Sequence, residues 1–302
     1  MTKLTLASRR GHSVESSSVP GVSPPPADIE LISLVAQGEL AEVWHAIDRS
    51  TGQNIAWKQL RPEQGNLDQG ADRLRTEAEI LSRVASPYLV RLLGTDFDRP
   101  IPALRLEWID GETVSARLSG QVPVDLGEAL WIARQALQGM HALLQAGTIH
   151  SQLTANHLLI RSDGTVALVD LSRATFDQAT GIELDAVQRG TESETPDSRS
   201  TGFRVNRVER DLAGLAEILA QLVTGSRESP PEAAGPDTTR SADAIALWIR
   251  RRAPHVPREL AGWIGQLATL APLARGEGLT RWIHQLVGME LRAMIDRNPP
   301  VI

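Results

Sequence analysis

The sequence predicts an α+β fold in two lobes, a small β-rich N-lobe carrying one helix and a larger, mainly helical C-lobe. Three observations lead there. Short apolar runs separated by turn signals dominate from Ile29 to Leu60. Only one helical period interrupts the strand-like runs before residue 108, and long helical periods take over from Leu126. The expected boundaries are a disordered N-terminal arm over 1–27, a first lobe over 28–108 and a second over 109–298.

The arm is rich in Ser and Pro, ends in PPPA and has no apolar period. ELISLVAQGELAEVWHAIDRSTGQNIAWKQL, from Glu30, then reads as a three-stranded meander with a bend at Gly38 and a turn at STGQN. QGADRLRTEAEILSRVA places Leu74, Ala78, Leu81 and Val84 on one helical face over 69–85, and Pro87 ends it. LVRLLG and ALRLEWI are strand-like, with a DG turn at 110–111. LGEALWIARQALQGMHALLQAG, 126–147, is a long amphipathic helix closed by Gly147, and HLLI and VALVDL flank an SDG turn at 162–164. A polar segment over about 175–208 precedes a helix at 211–224. After a Pro-rich loop, further helices are expected at 241–252, 257–269 and 278–295.

With 302 residues, 41% hydrophobic and 23% charged, the chain has the make-up of a globular protein. Its net charge of -6 argues against nucleic acid or an anionic membrane as the main partner. No cysteine is present, which excludes disulfides, thiolate nucleophiles and thiolate zinc sites. The most apolar helical stretch, LAGLAEILAQLV, is interrupted by Glu217 and Gln221. The SRR at 8–10 has no apolar segment after it, so a soluble, cytoplasmic protein is expected. Of 31 basic residues only Lys3 and Lys58 are lysines. Lys58 lies inside a folded segment, and its compact ammonium suits a tight phosphate contact better than arginine's planar fork.

The motifs carried by these elements resemble the protein kinase fold, most closely the bacterial serine/threonine type, over about Ile29 to Met294. AQGELAEV at 36–43 takes the place of the Gly-rich loop and IAWK, ending in Lys58, that of V-A-I-K. Glu77 falls where the family's helix pairs with that lysine. LEWIDG at 106–111 is similar to the hinge, HSQLTANHLLI at 150–160 to the catalytic loop, and VDLS at 169–172 to D-F-G. Gln152 and His157 are five positions apart, as H-R-D-L-x-x-x-N requires. Asp211 resembles the aspartate opening the family's buried central helix, and Arg275 of APLARG is a candidate partner for Asp197 of TPD.

From this resemblance the nucleotide-binding candidates are Gly38, Val43, Ala56, Lys58, Glu77, Glu107, Ile109 and Asp170, with ATP and Mg²⁺ or Mn²⁺ as the cofactors it leaves open. Asp170 is the main metal candidate and His157 a weaker one. Lys58 with Glu77 reads either as a nucleotide contact or as an ion pair holding the helix to the sheet. Asp170 reads either as a metal ligand or as a turn carboxylate, and His157 as a ligand or an ordinary exposed residue. His150 should pack beneath the loop.

The departures set the functional expectation. Gln152 replaces the proton-accepting aspartate, Ser151 the arginine, Thr154 the lysine and His157 the asparagine of the catalytic loop. Leu171 and Ser172 replace Phe and Gly of D-F-G, while Ala36 and Ala41 replace two phosphate-loop glycines at a cost in backbone freedom. A missing proton acceptor costs about 10²–10⁴-fold and a missing clamp about 10²–10³-fold. No catalytic residue is therefore expected. The sequence reads as a bacterial pseudokinase in signalling, a scaffold or regulator that binds an unidentified protein and leaves nucleotide binding open, without ordinary phosphotransfer. The alternative is a nucleotide-using enzyme of atypical activity, by nucleotidyl transfer or residual serine/threonine kinase activity. Thr191, Ser193, Thr195, Ser198, Ser200 and Thr201 are candidate phosphoacceptors, Arg250–Arg252 a candidate acidic-ligand patch, and an exposed Trp248 or Trp282 would mark a partner surface.

Overall fold

In the computed structural model, which describes residues 25–61, 67–176, 198–230, 242–269 and 277–297, the chain divides into two compact units. One comprises the residues up to Ala85 together with Val90–Asp110, the other Ser86–Leu89 and everything from Gly111.

In the first unit, strands β1 (Ile29–Gln37), β2 (Ala41–Asp48) and β3 (Gln53–Leu60) form the expected antiparallel meander. Asp48 makes the second turn: its Oδ1 accepts from the backbone N–H of Ser50 at 2.9 Å and from the Ser50 hydroxyl at 2.5 Å. The hydroxyl bond is the main cause that holds its carboxyl below the usual carboxylate range. Helix α1 spans Leu67–Arg83, and β4 (Leu92–Asp96) and β5 (Ala103–Glu107) complete a sheet ordered β1-β2-β3-β5-β4. Ile29, Ala46, Ile55, Trp57 and Ala103 pack one face of it. A buried polar relay runs through this core, from the Trp57 indole N–H to Gln59 at 2.9 Å and from the Gln59 amide to Glu42 at 2.6 Å. Arg105 fastens the other elements. It donates twice to Asp96, at 2.8 and 2.9 Å, and once to Asp28 at 3.0 Å, so residue 28 is already bound to the sheet.

The second unit begins with a short strand the sequence did not suggest. β6 (Gly111–Thr113) grows from the DG dipeptide expected only to turn, and it pairs with β8 (Leu158–Arg161), which pairs with β9 (Val166–Leu168). Three residues are too few for a period of two to show. Thr113 caps helix α2 (Val114–Arg117), accepting from Ala116 N at 3.1 Å, and Asp125 caps α3 (Leu126–Gln145), accepting from Gly127 N at 2.9 Å. β7 (Thr148–Ile149) pairs with β10 (Thr175–Phe176).

Helix α4 spans Ser198–Thr224, thirteen residues longer at its start than the apolar period indicated. The backbone between Pro196 and Thr224 contains no proline, so a helix nucleated on the apolar part can propagate backwards through polar residues. α5 (Ala242–Arg252), α6 (Arg258–Ala268) and α7 (Glu277–Arg297) follow the expected positions within one or two residues. α3 packs on α4 and α7, and α6 on α4 and α5. Trp263 and Trp282 meet edge to face at 5.1 Å, and Arg134 of α3 donates to Glu290 of α7 at 2.7 Å. Trp282 is buried and Trp248 half-buried under Arg252, which also donates to Glu228 at 2.5 Å, so neither tryptophan is the exposed marker considered above. Among the described residues no helix is long and apolar enough to cross a membrane.

Gly139 lets α3 touch its neighbours. A Cβ there would lie 2.5 Å from Leu168 Cδ1 and 3.0 Å from the Tyr88 carbonyl oxygen. On an open helix Gly→Ala gains about 1 kcal/mol. Here overpacking dominates, and Gly139→Ala should lose about 1–3 kcal/mol in urea unfolding; an unchanged or higher midpoint would show that the contact gives way freely.

Candidate functional site

β3 and α1 bring two of the sequence-predicted residues together. Lys58 Nζ lies 2.6 Å from Glu77 Oε2, with side chains 5% and 0% exposed. The pair follows from sequence geometry: Lys58 sits in register with Val43 on β2 and Leu104 on β5, and Glu77 is on the buried face of α1 beside Leu74, Ala78 and Leu81. Breaking a buried pair by removing one partner costs about 3–5 kcal/mol.

The other candidates of this unit surround that register without touching one functional atom set. Gly38 forms the bend between β1 and β2, its N–H donating to the Ala41 carbonyl at 2.8 Å and its carbonyl accepting from Arg61 at 2.9 Å. Ala56 is paired with His45 and Leu106, Glu107 exchanges bonds with Arg91, and Ile109 is buried. Ala36 and Ala41 lie in strands and neither has positive φ, so their Cβ atoms impose no φ strain there.

In the second unit the loop 150–157 is organised by Asp211. This residue, which lies well inside α4 and does not open a helix, is 1% exposed. It accepts from the backbone N–H of Ser151 at 2.8 Å and of Leu153 at 3.0 Å. One turn on, Gly214 admits the Leu153 carbonyl so closely that a Cβ would sit 2.5 Å from it. The clamp holds Ser151 at φ 70°, a left-handed conformation that a serine rarely adopts.

Downstream, the Gln152 side chain is exposed, while its backbone carbonyl lies 2.7 Å from His157 Nδ1. His157 Nε2 faces Asp170 Oδ2 at 3.6 Å, and Asp170 is itself left-handed at φ 62°. Gln152, His157 and Asp170 are thus one cluster. His150 is buried beneath it, 5.4 Å ring to ring from His157, and neither of its nitrogens has a partner in bonding geometry among the described residues. Among those residues no group of three or more metal-ligating side chains converges, so His157 and Asp170 are the only candidate pair in this cluster.

Sequence reasoning missed Arg207. Its guanidinium donates to the Thr175 hydroxyl at 2.6 Å, and that hydroxyl lies 3.2 Å from Ser151 Oγ. Nothing in the spacing marks an arginine 56 positions from Ser151 as its neighbour. Thr191, Ser193, Thr195, Asp197, Arg275 and the arm up to residue 24 lie outside the described residues, as do the side chains of Ser198, Ser200 and Thr201.

The protein kinase domain family model matches residues 29–189, more than half of the chain, and the chain belongs to that family. It is similar to the serine/threonine-protein kinase PknA of Corynebacterium glutamicum, 24% identical over 254 residues that cover 81% of this chain and 52% of the relative. PrkC of Bacillus subtilis is 23% identical over 249 residues, covering 82% and 38%, and PknD of Mycobacterium tuberculosis 25% over 211 residues, covering 70% and 32%. The chain therefore spans about half or less of the length of these relatives. These matches correct the expectation of a scaffold without phosphotransfer: the relatives are named as serine/threonine protein kinases and point to kinase function. The sequence reading erred by giving the substitutions at Ser151, Gln152, Thr154 and His157, with those in the D-F-G counterpart and the phosphate loop, more weight than the match of the domain as a whole.

Two buried groups beside the loop couple stability to pH with opposite sign. Burial, opposed by the bonds from Leu153 and Ser151 and by Arg210, pushes the Asp211 carboxyl up to about 6 from 3.8. Its contribution is full below 3.8 and is lost as pH rises to about 6. Burial first and His157 second push His150 down to about 4 from 6.5, against Asp170. Its contribution is full above 6.5 and is lost as pH falls to about 4. Urea midpoints of Asp211→Asn should therefore fall on acidification through this window and those of His150→Phe on alkalinisation, with the unmodified protein flatter than either. Matching slopes in both variants would refute the opposition.

Proposed function

We propose that this chain is an ATP-dependent protein serine/threonine kinase of low turnover. The observation that carries the reading is the closed, buried Lys58–Glu77 pair at 2.6 Å in a chain of the protein kinase family. Glu77 holds the Lys58 ammonium in place, as a point charge for the nucleotide phosphates. Gly38, Val43, Ala56, Glu107 and Ile109 are assigned to the nucleotide around it, and Asp170 with His157 to the divalent metal. Their donor set, a carboxylate oxygen and an imidazole nitrogen, is of ligating type. The metal, when bound, neutralises phosphate charge.

In the reaction the terminal phosphoryl group passes from ATP to a serine or threonine hydroxyl, ADP leaves, and the hydroxyl proton goes to solvent. Such transfer runs largely through a loose transition state, so positioning and electrostatics carry most of the rate. The exposed Gln152 amide can accept a hydrogen bond from the hydroxyl but cannot take its proton, which lowers the rate without abolishing it.

Transfer of labelled terminal phosphate to a generic basic protein or to the chain itself tests this. Slow transfer should be abolished by both Lys58→Met and Asp170→Asn, and Gln152→Asp should raise it by about 10²-fold. Transfer unaffected by Lys58→Met, or absent from the unmodified and Gln152→Asp proteins alike, would overturn the reading.

A further inference from the structure

A cavity of about 460 Å³ opens within the second unit, between α3, the β8–β9 turn and the chain at Pro87–Tyr88. None of its lining residues is among those assigned above to nucleotide or metal. Its walls are fastened to one another: the Trp131 indole N–H donates to the Gly164 carbonyl at 2.9 Å, the Arg161 N–H to the Thr165 carbonyl at 2.7 Å and the Leu168 N–H to the Tyr88 carbonyl at 2.8 Å. A preformed space of this size suits a small molecule.

The most buried polar side chain of the lining is Gln135, 2% exposed. Its Oε1 accepts from the Val166 backbone N–H at 3.1 Å, and since only an acceptor can face that N–H, the NH₂ end of the amide is turned away from it. This buried Nε2 has no partner among the described residues. A donor so placed is unfavourable until an acceptor meets it. Arg134, next in the chain, adds to the surplus of donors, because it gives Nε to Glu290 at 2.7 Å and Nη1 to Gln138 at 3.2 Å and has five N–H groups in all.

Charge, in contrast, is already balanced. Glu290 answers Arg134, and Asp163 stands two positions from Arg161 on the exposed turn. The Asp163 Oδ1 is itself committed to the Thr165 N–H and hydroxyl, at 2.8 and 2.7 Å. An anionic ligand would therefore meet a carboxylate at the rim, whereas a neutral carbonyl would meet N–H donors inside. The walls favour a flat body as well: the Arg134 guanidinium lies over the Trp131 ring at 4.5 Å, and the Tyr88 ring is half-buried in the same lining.

We propose that this cavity binds a small, flat, uncharged ring bearing a carbonyl acceptor, of the aromatic-amide or lactam class, with the carbonyl oxygen accepting from Gln135 Nε2. The site is independent of the kinase reading, since its residues and those of the nucleotide and metal set do not overlap.

Benzamide is the probe, with benzoate and benzylamine as isosteric comparisons that replace the neutral acceptor by an anion and by a cationic donor. Offered to the full chain and followed by calorimetry, benzamide should bind at least about tenfold more tightly than either, the difference expected for one buried hydrogen bond met or left unmet. Nuclear Overhauser contacts should run from its ring to Trp131 and Thr165. Gln135→Met, checked for folding by its melting temperature, should weaken benzamide by about tenfold. Absence of saturable benzamide binding, equal affinity for the three probes, contacts only to residues outside the cavity, or unchanged affinity in folded Gln135→Met would each overturn the proposal. Should Gln135→Met not fold, the order of the three affinities and the contacts in the unmodified protein decide.

Discussion

Burying the Asp211 carboxylate is the constraint on which the loop of the second unit depends. A bare carboxylate at 1% exposure is costly, and its charge is made tolerable chiefly by two backbone N–H groups that converge on it. Those bonds fix Ser151 and Leu153, and with them the peptide of Gln152 between. The Gln152 carbonyl is thereby aimed at His157, whose proton it claims, and the opposite edge of the ring is left facing Asp170. One buried charge on α4 thus determines, through three short links, where a nitrogen lone pair points. The approach of Gly214 to the Leu153 carbonyl serves the same end, since the helix could not come close enough with a larger residue.

The first unit is built on a comparable economy. Lys58 is one of two lysines in a chain that otherwise uses arginine for positive charge. At 5% exposure between β3 and α1 its ammonium lies 2.6 Å from Glu77 Oε2, a close buried contact that suits a compact point charge better than a bulkier planar fork. Arg105 shows the converse. There a forked guanidinium spans both oxygens of Asp96 and a third from Asp28, a task that a point charge would do badly. The choice of cation at each place follows from the space available and the shape of the contact.

What was legible in the sequence is what leaves a periodic or positional trace. The meander, α1, α3 and the order of the elements all show as apolar periods ended by Gly, Pro or a capping residue, and the register of Lys58 and Glu77 follows from them. The three-residue β6 is too short for a period, and the start of α4 is helical by propagation through a polar stretch. The links of the site were less legible, because Asp211 lies about 60 positions from the loop it clamps and Arg207 reaches Thr175 across 32. Spacing along the chain carries no information about such encounters. The tautomer of His157 is further still from the sequence, since it depends on a backbone carbonyl, which every residue possesses.

The four changes in the loop are therefore not four independent losses. Ser151 gives up an arginine side chain, yet Arg207 supplies a guanidinium to the Thr175 hydroxyl that Ser151 contacts. His157 replaces an asparagine and still donates an N–H to the peptide at 152 while presenting a lone pair outward. The peptide of Gln152 keeps its structural part because Asp211 grips its neighbours and takes no notice of its side chain. Only the basic carboxylate at 152 and the ammonium at 154 lack a replacement in the loop itself. Multiplying a separate penalty for each substitution overstates the damage, since residues that act as a unit are not additive. Positioning and electrostatics carry most of phosphoryl transfer, so under the kinase reading proposed above, a loop that keeps its backbone clamp while lacking a base would slow the reaction and not end it.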